Sequence, residues 1–113
     1  MNTEELAKIL DDHKKSLNGV GGRRADLQCA YLRHADLQGA DLRGADLDFS
    51  AWPLWCGTKG VKVCDKIARQ LAAHFCAIEC DSEEYRAARA AILEYAKGSH
   101  RAAELRIKED GDE

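Results

Sequence analysis

Five tandem units share one pattern: Ala25-Asp26-Leu27, Ala30-Tyr31-Leu32, Ala35-Asp36-Leu37, Ala40-Asp41-Leu42 and Ala45-Asp46-Leu47. A repeat at fixed period constrains architecture before any propensity does. A period of five suits neither standard element. At about 100° per residue, every fifth Leu advances about 140° around a helix, so no apolar stripe forms. On a strand, an odd period sends successive Leu side chains to opposite faces. The period does suit a square coil with one five-residue unit per side. Each side then turns its Ala and Leu inward, and its Asp and the next two residues mostly outward. The sixth unit, Ser50-Ala51-Trp52-Pro53-Leu54, departs from the pattern. Its ring and Pro suit a terminal, distorted side.

This A-(D/N)-L-x-x pattern resembles the pentapeptide-repeat family over residues 25–54, about a quarter of the chain. The resemblance implies a short right-handed four-sided β-solenoid with about 20 residues per coil, and hence about one and a half coils here. Ala25 would lie under Ala45, Leu27 under Leu47 and Leu32 under Trp52. A stack that short needs other elements to bury its ends. The fold class expected is therefore α+β: the β-solenoid capped by an N-terminal helix and a C-terminal antiparallel helical hairpin.

A single domain is expected from 113 residues. Residues 3–17 read as the capping helix. Asn2 and Glu5 can form a capping box, and Leu6, Ile9, Leu10, His13 and Leu17 make one stripe. Asn18-Gly19 and Gly21-Gly22 end it. The run from His13 to Gly19, followed by the glycines and a basic pair, resembles the leader of small pentapeptide-repeat proteins of gut bacteria and their mobile elements. Ser16 stands where that leader usually has Trp.

The coil is read over 23–56, the hairpin over 62–97 and a polar tail over 98–113. In the first hairpin helix, 62–78, Cys64, Ile67, Leu71, Phe75 and Ile78 form the buried face with His74 inside it, while Arg69 and Gln70 face out. In the second, 82–97, Tyr85, Ala88, Ile92 and Tyr95 or Ala96 form the stripe. Glu109, Asp110, Asp112 and Glu113 read as a solvated tail.

The net charge is −3 and each third of the chain carries close to −1. No basic patch stands out, so direct nucleic-acid binding is not expected. No run of apolar residues is long enough to span a membrane, and the acidic N-terminus lacks a signal sequence. A cytoplasmic location follows as the default. Five Cys in a reducing compartment suit thiols or metal ligands better than disulfides.

Cys56, His74, Cys76 and Cys80 are the candidate ligands for a zinc ion tying the coil to the hairpin. The alternative is that these thiols are small core residues. Cys64 reads as core, and Cys29 as a corner residue where later units have Gly39 and Gly44. No nucleophile, base and orienting residue line up, so an enzyme is not expected.

The function expected is protein binding. Glu79, Asp81, Glu83 and Glu84 on the hairpin turn, with Asp36 and Asp41 on the coil, are the candidate partner-binding residues. The likeness to mobile-element proteins implies an inhibitor or regulator. Its most concrete form is an anti-CRISPR protein, phage-borne, that covers the nucleic-acid-binding surface of a Cas effector. Two alternatives stand beside it. One is a structural module that pairs with itself as a homodimer through uncovered coil ends. The other, implied by relatives that imitate DNA, is an inhibitor of gyrase or topoisomerase. Arg23, Arg24, Arg33 and Arg43 dilute the acidic surface needed for that mimicry.

Overall fold

The computed structural model describes residues 2–105, which form two compact units dividing between Cys64 and Asp65. The acidic tail, Glu109 to Glu113, lies outside the described residues. No helix among them is long and apolar enough to cross a membrane.

The first unit begins with α1, Thr3–Leu17. Its start is set by Asn2, whose Oδ1 accepts from the Glu5 N–H at 2.7 Å. Leu6 and His13 are buried, and Leu17, at the end of the expected stripe, is exposed. After α1 the chain turns every five residues. The N–H groups of Ala30, Ala35, Ala40, Ala45 and Ser50 each donate to the carbonyl three residues earlier, at Leu27, Leu32, Leu37, Leu42 and Leu47. The third residue of four of these turns has positive φ: Cys29, Gly39, Gly44 and Phe49. Gly fills that position without strain, whereas a side chain there is strained. Leu27, Leu32, Leu37 and Leu42 are fully buried, and Leu47 nearly so. Each buried Leu contributes about 1.5–3 kcal/mol.

The chain meets itself after one circuit. Asp46 donates to the Ala25 carbonyl and Leu27 to that of Asp46; Ala51 donates to Ala30 and Leu32 to Ala51. These make isolated parallel bridges, Asp26 to Asp46 and Tyr31 to Ala51. No strand or sheet is present among the described residues, so the expected β-solenoid is not seen. The reason is length. Each side spends most of its five residues on the turn, leaving one residue for a bridge and none to extend it into a ladder. The regular secondary structure of the described residues is helical, and residues 25–62 form a coil of turns tied by single bridges.

That coil continues past the last recognisable repeat. Leu37 donates to the Gly57 carbonyl, Gly39 to Lys59 and Leu42 to Lys62. The bridge of Asp41 to Lys62 is offset by 21 residues where the first two are offset by 20. The extra residue is taken up between Ala51 and Gly57, since Leu32 bonds a carbonyl 19 residues on and Leu37 one 20 residues on. Pro53 and Gly57 are buried within this second circuit. A methyl at Gly57 would lie 2.6 Å from the Ala35 carbonyl oxygen and 2.6 Å from the Trp55 ring. Only Gly allows that approach.

The second unit holds α2, Asp65–Ala77, α3, Glu83–Lys97, and the short α4, Ala102–Leu105. Helix α2 starts later than the sequence reading placed it, because Lys62 is held by Ala40 and Leu42 in the coil. Cys64 therefore lies outside α2. Its thiol accepts weakly from the Gly44 N–H at 3.4 Å. The buried face of α2 also differs from the one expected. Ile67, Gln70, Ala73 and Cys76 are buried, whereas His74, Leu71 and Ile78 are exposed. On α3 the buried residues are Leu93 and Ala96, and Ala88 is exposed. Ala73, Cys76, Leu93 and Ala96 form the core between the helices. Small side chains win that face because they let the helix backbones approach closely. The Tyr95 hydroxyl donates to Asp65 at 2.8 Å, and Arg89 Nε donates to the Cys76 carbonyl at 2.8 Å. These contacts fix α2 and α3 as an antiparallel pair.

Gly57→Ala is expected to destabilise the first unit by about 1–3 kcal/mol, through a clash with backbone that cannot yield. Both Trp residues of the chain, Trp52 and Trp55, lie in this unit. Urea unfolding followed by Trp fluorescence therefore reads the coil. An unchanged midpoint would contradict the packing described.

Candidate interaction surfaces

The imidazole of His13 links α1 to the coil. Its Nδ1 accepts from the Ala25 N–H at 2.9 Å, and its Nε2 lies 2.7 Å from the Arg43 carbonyl. An Nδ1 that accepts assigns the ring proton to Nε2, which donates to Arg43. In later units the Ala N–H is taken by a turn carbonyl. Ala25 begins the series, and the imidazole takes that place. The sequence showed His13 only as part of an apolar stripe; its partners lie 12 and 30 residues away.

The repeat aspartates have a local task. Asp26, Asp36, Asp41 and Asp46 each accept, through Oδ1, the N–H two residues ahead, at 3.1–3.2 Å. This Asx bond holds the chain as it enters each turn. Tyr31 replaces Asp in the second unit. Asp36 is exposed. Asp41 is half-buried and also pairs with Arg43, Oδ1 with Nε at 2.9 Å and Oδ2 with Nη2 at 2.6 Å. That hydrogen bond, aided by the charge of Arg43 and then Lys62, lowers the Asp41 pKa from 3.8 to about 2. The structure thus places Asp36 and Asp41 in turn closure, with outer carboxylate edges on the surface.

In the second unit, Glu79, Asp81, Glu83 and Glu84 gather on and after the turn from α2 to α3, and all four are exposed. The Ser82 hydroxyl accepts from Tyr85 N–H at 3.2 Å and starts α3. Glu83 and Glu84 occupy its first turn, where the helix dipole favours negative charge. Asp81 pairs with Arg86. The Tyr85 hydroxyl lies 2.6 Å from the Phe75 carbonyl and 2.7 Å from that of Ile78, holding the end of α2. Its burial pushes the phenol pKa up. Ile78, 56% exposed, sits within this acidic turn.

The candidate zinc ligands do not form a ligand set. Cys76 is buried in the α2–α3 core, His74 and Cys80 are exposed on the same unit, and Cys56 belongs to the first unit. Among the described residues, no three His, Cys, Asp or Glu side chains gather as a metal-holding group. His74 and Cys76 lie on different sides of an unbroken α2, so the unwinding needed to bring them together is not seen.

These features define a class: a coil of tandem five-residue turns joined to a helical hairpin. Residues 23–50 match the family model described as pentapeptide repeats (8 copies). That segment carries pentapeptide repeats, over about a quarter of the chain. No curated protein and no solved structure matches it. The repeats point to a protein-interaction module.

The Asp41 pKa gives a pH test. It is depressed below the unfolded value of 3.8, so its stabilising contribution is whole above about pH 4 and is lost as pH falls toward 2. The pair is partly solvated, which limits it to about 1 kcal/mol or less. Asp41→Asn keeps an oxygen for the Asx bond and removes the charge. In urea unfolding at pH 7 the variant is expected to be slightly less stable than wild type, with the gap closing by pH 2. A gap independent of pH would contradict the assignment.

Proposed function

We propose that this chain is a non-enzymatic protein-binding module that regulates or inhibits its partner by covering part of that partner's surface. The observation that supports this is the exposed acidic turn carried by α2 and α3. Glu79, Glu83 and Glu84 have no ion-pair partner among the described residues, and exposed Ile78 lies among them. An exposed apolar residue on an acidic turn suits a basic groove with an apolar floor. The most specific form of the reading is an inhibitor that occupies the nucleic-acid-binding groove of a Cas effector.

The test is direct binding of the full chain to a panel of purified basic-groove proteins, Cas effectors and gyrase included, with titrations at two salt concentrations. The reading expects capture of one panel member. It also expects Glu83→Lys with Glu84→Lys to weaken that binding at least tenfold at low salt, with helix content kept. Glu94→Lys, an exposed change elsewhere on α3, serves as the control. Binding indifferent to the double reversal would remove the acidic turn from the account. Self-association with no other partner would favour a structural module instead.

A further inference from the structure

Helix α1 has a small apolar grip on the coil. Of its 15 residues only Leu6 and His13 are buried. Leu17 and, just beyond the helix, Val20 are exposed. The two hydrogen bonds of His13 therefore carry much of the attachment: one accepted from the Ala25 N–H, one donated to the Arg43 carbonyl. Both need the neutral ring. Nδ1 must keep its lone pair for Ala25 while Nε2 carries the proton. A second proton turns Nδ1 into a donor. Two N–H groups then face each other across 2.9 Å, on a ring that is 1% exposed. Burying that charge without a partner is costly.

The surrounding charges do not offset it. One turn away on α1 stand Ile9, Leu10, Ser16 and Leu17, none of them charged. The adjacent Asp12 and Lys14 are exposed and of opposite sign, and Asp11 is paired with Lys15. On the coil side, Arg23, Arg24 and Asp26 flank Ala25 and are exposed. The Arg43 guanidinium is bound to Asp41, and Asp46 Oδ1 accepts from the Asp48 N–H. Among the described residues no carboxylate pairs with the imidazole. The chain that joins α1 to the first repeat is also able to move. Gly19 and Gly21 have positive φ, and nothing is packed where their side chains would stand. Such a run can absorb the backbone rotation of a hinge.

We propose that His13 is a proton-operated latch: mild acid charges the ring, α1 swings away on the hinge after Leu17, and Leu6 and the Ala25 N–H open to solvent. The closed state excludes the second proton and the open state accepts it, so the latch is shut at neutral pH and opens as pH falls. A solvated imidazole takes up its proton near about pH 6.5, which puts the change between about pH 7.5 and 5. Ordinary carboxylates titrate lower, at about 4. Asp41, at about 2, lies lower still. The latch uses neither the acidic turn nor its partner, so each can fail alone.

The test is residue-resolved amide exchange on the full chain at pH 7.5 and pH 5, with the ring nitrogens followed by NMR. At pH 7.5 His13 is expected as the Nε2–H tautomer, with exposed His34, His74 and His100 as references. On moving to pH 5, exchange of Ala25 and of the α1 amides, corrected for its intrinsic pH dependence, is expected to quicken at least about tenfold, with α2 and α3 unchanged. His13→Gln offers an acceptor and a donor but takes up no proton, so its exchange is expected to be the same at both pH values. If that variant loses α1 altogether, the wild-type titration decides, because opening must follow the charging of His13. A charged His13 with Ala25 still protected would overturn the proposal. So would no change in exchange down to pH 5, opening while the ring stays neutral, or a His13→Gln chain that opens with acid as wild type does.

Discussion

The turn after each Leu governs the first unit. At each one a carbonyl accepts from the N–H three residues on, and at four of the five an Asp side chain holds the turn's entry and a positive φ lets the chain leave at a new angle. Repeated every five residues, this brings the chain back beside itself after about 20, with a buried Leu in each of the five repeat units. Core and register follow from that one geometry. The first Ala is the exception, since no turn precedes it. His13 supplies the missing acceptor, which makes α1 part of the coil's hydrogen bonding as well as its cover.

This division of labour bears on function. The inner residues and the aspartates are committed to the turns, so the coil's capacity to recognise anything lies in its remaining outward positions. Most of those are polar. Tyr31, Phe49 and Leu54 are the large exposed apolar residues among the repeats and the unit that follows them. The hairpin unit offers an acidic turn, where Glu79, Asp81, Glu83 and Glu84 are exposed close in sequence to exposed Ile78.

How far the sequence disclosed this differs by element. Helix α1 was readable because its start is a local signal, Asn2 with Glu5, and its end a glycine run. The coil was readable from its period, but the β-solenoid drawn from the resemblance asked for ladders that five-residue sides do not supply. Residues 55–62 carry no A-D-L pattern, yet they complete the second circuit through backbone bonds. Such bonds need only residues that fit, here Pro53 and Gly57 inside. The hairpin's inner face was misread because hydropathy favours Leu71 and Ile78, while close helix packing selects Gln70, Ala73 and Cys76. That rotation also puts His74 outside and Cys76 inside. The role of His13 depends on residues far apart in sequence, which no local pattern reveals.

Amide hydrogen exchange resolved by residue is the most direct measure of whether these turns and bridges form one closed coil. The account predicts protection at Leu27, Leu32, Leu37 and Leu42, at Asp46 and Ala51, and at Lys62, where the second circuit closes. It also predicts protection of Ala25, whose N–H has His13 as partner. Exchange of these amides at unfolded-chain rates, with α2 and α3 still protected, would show a helical hairpin carrying an open repeat segment and would contradict the coil.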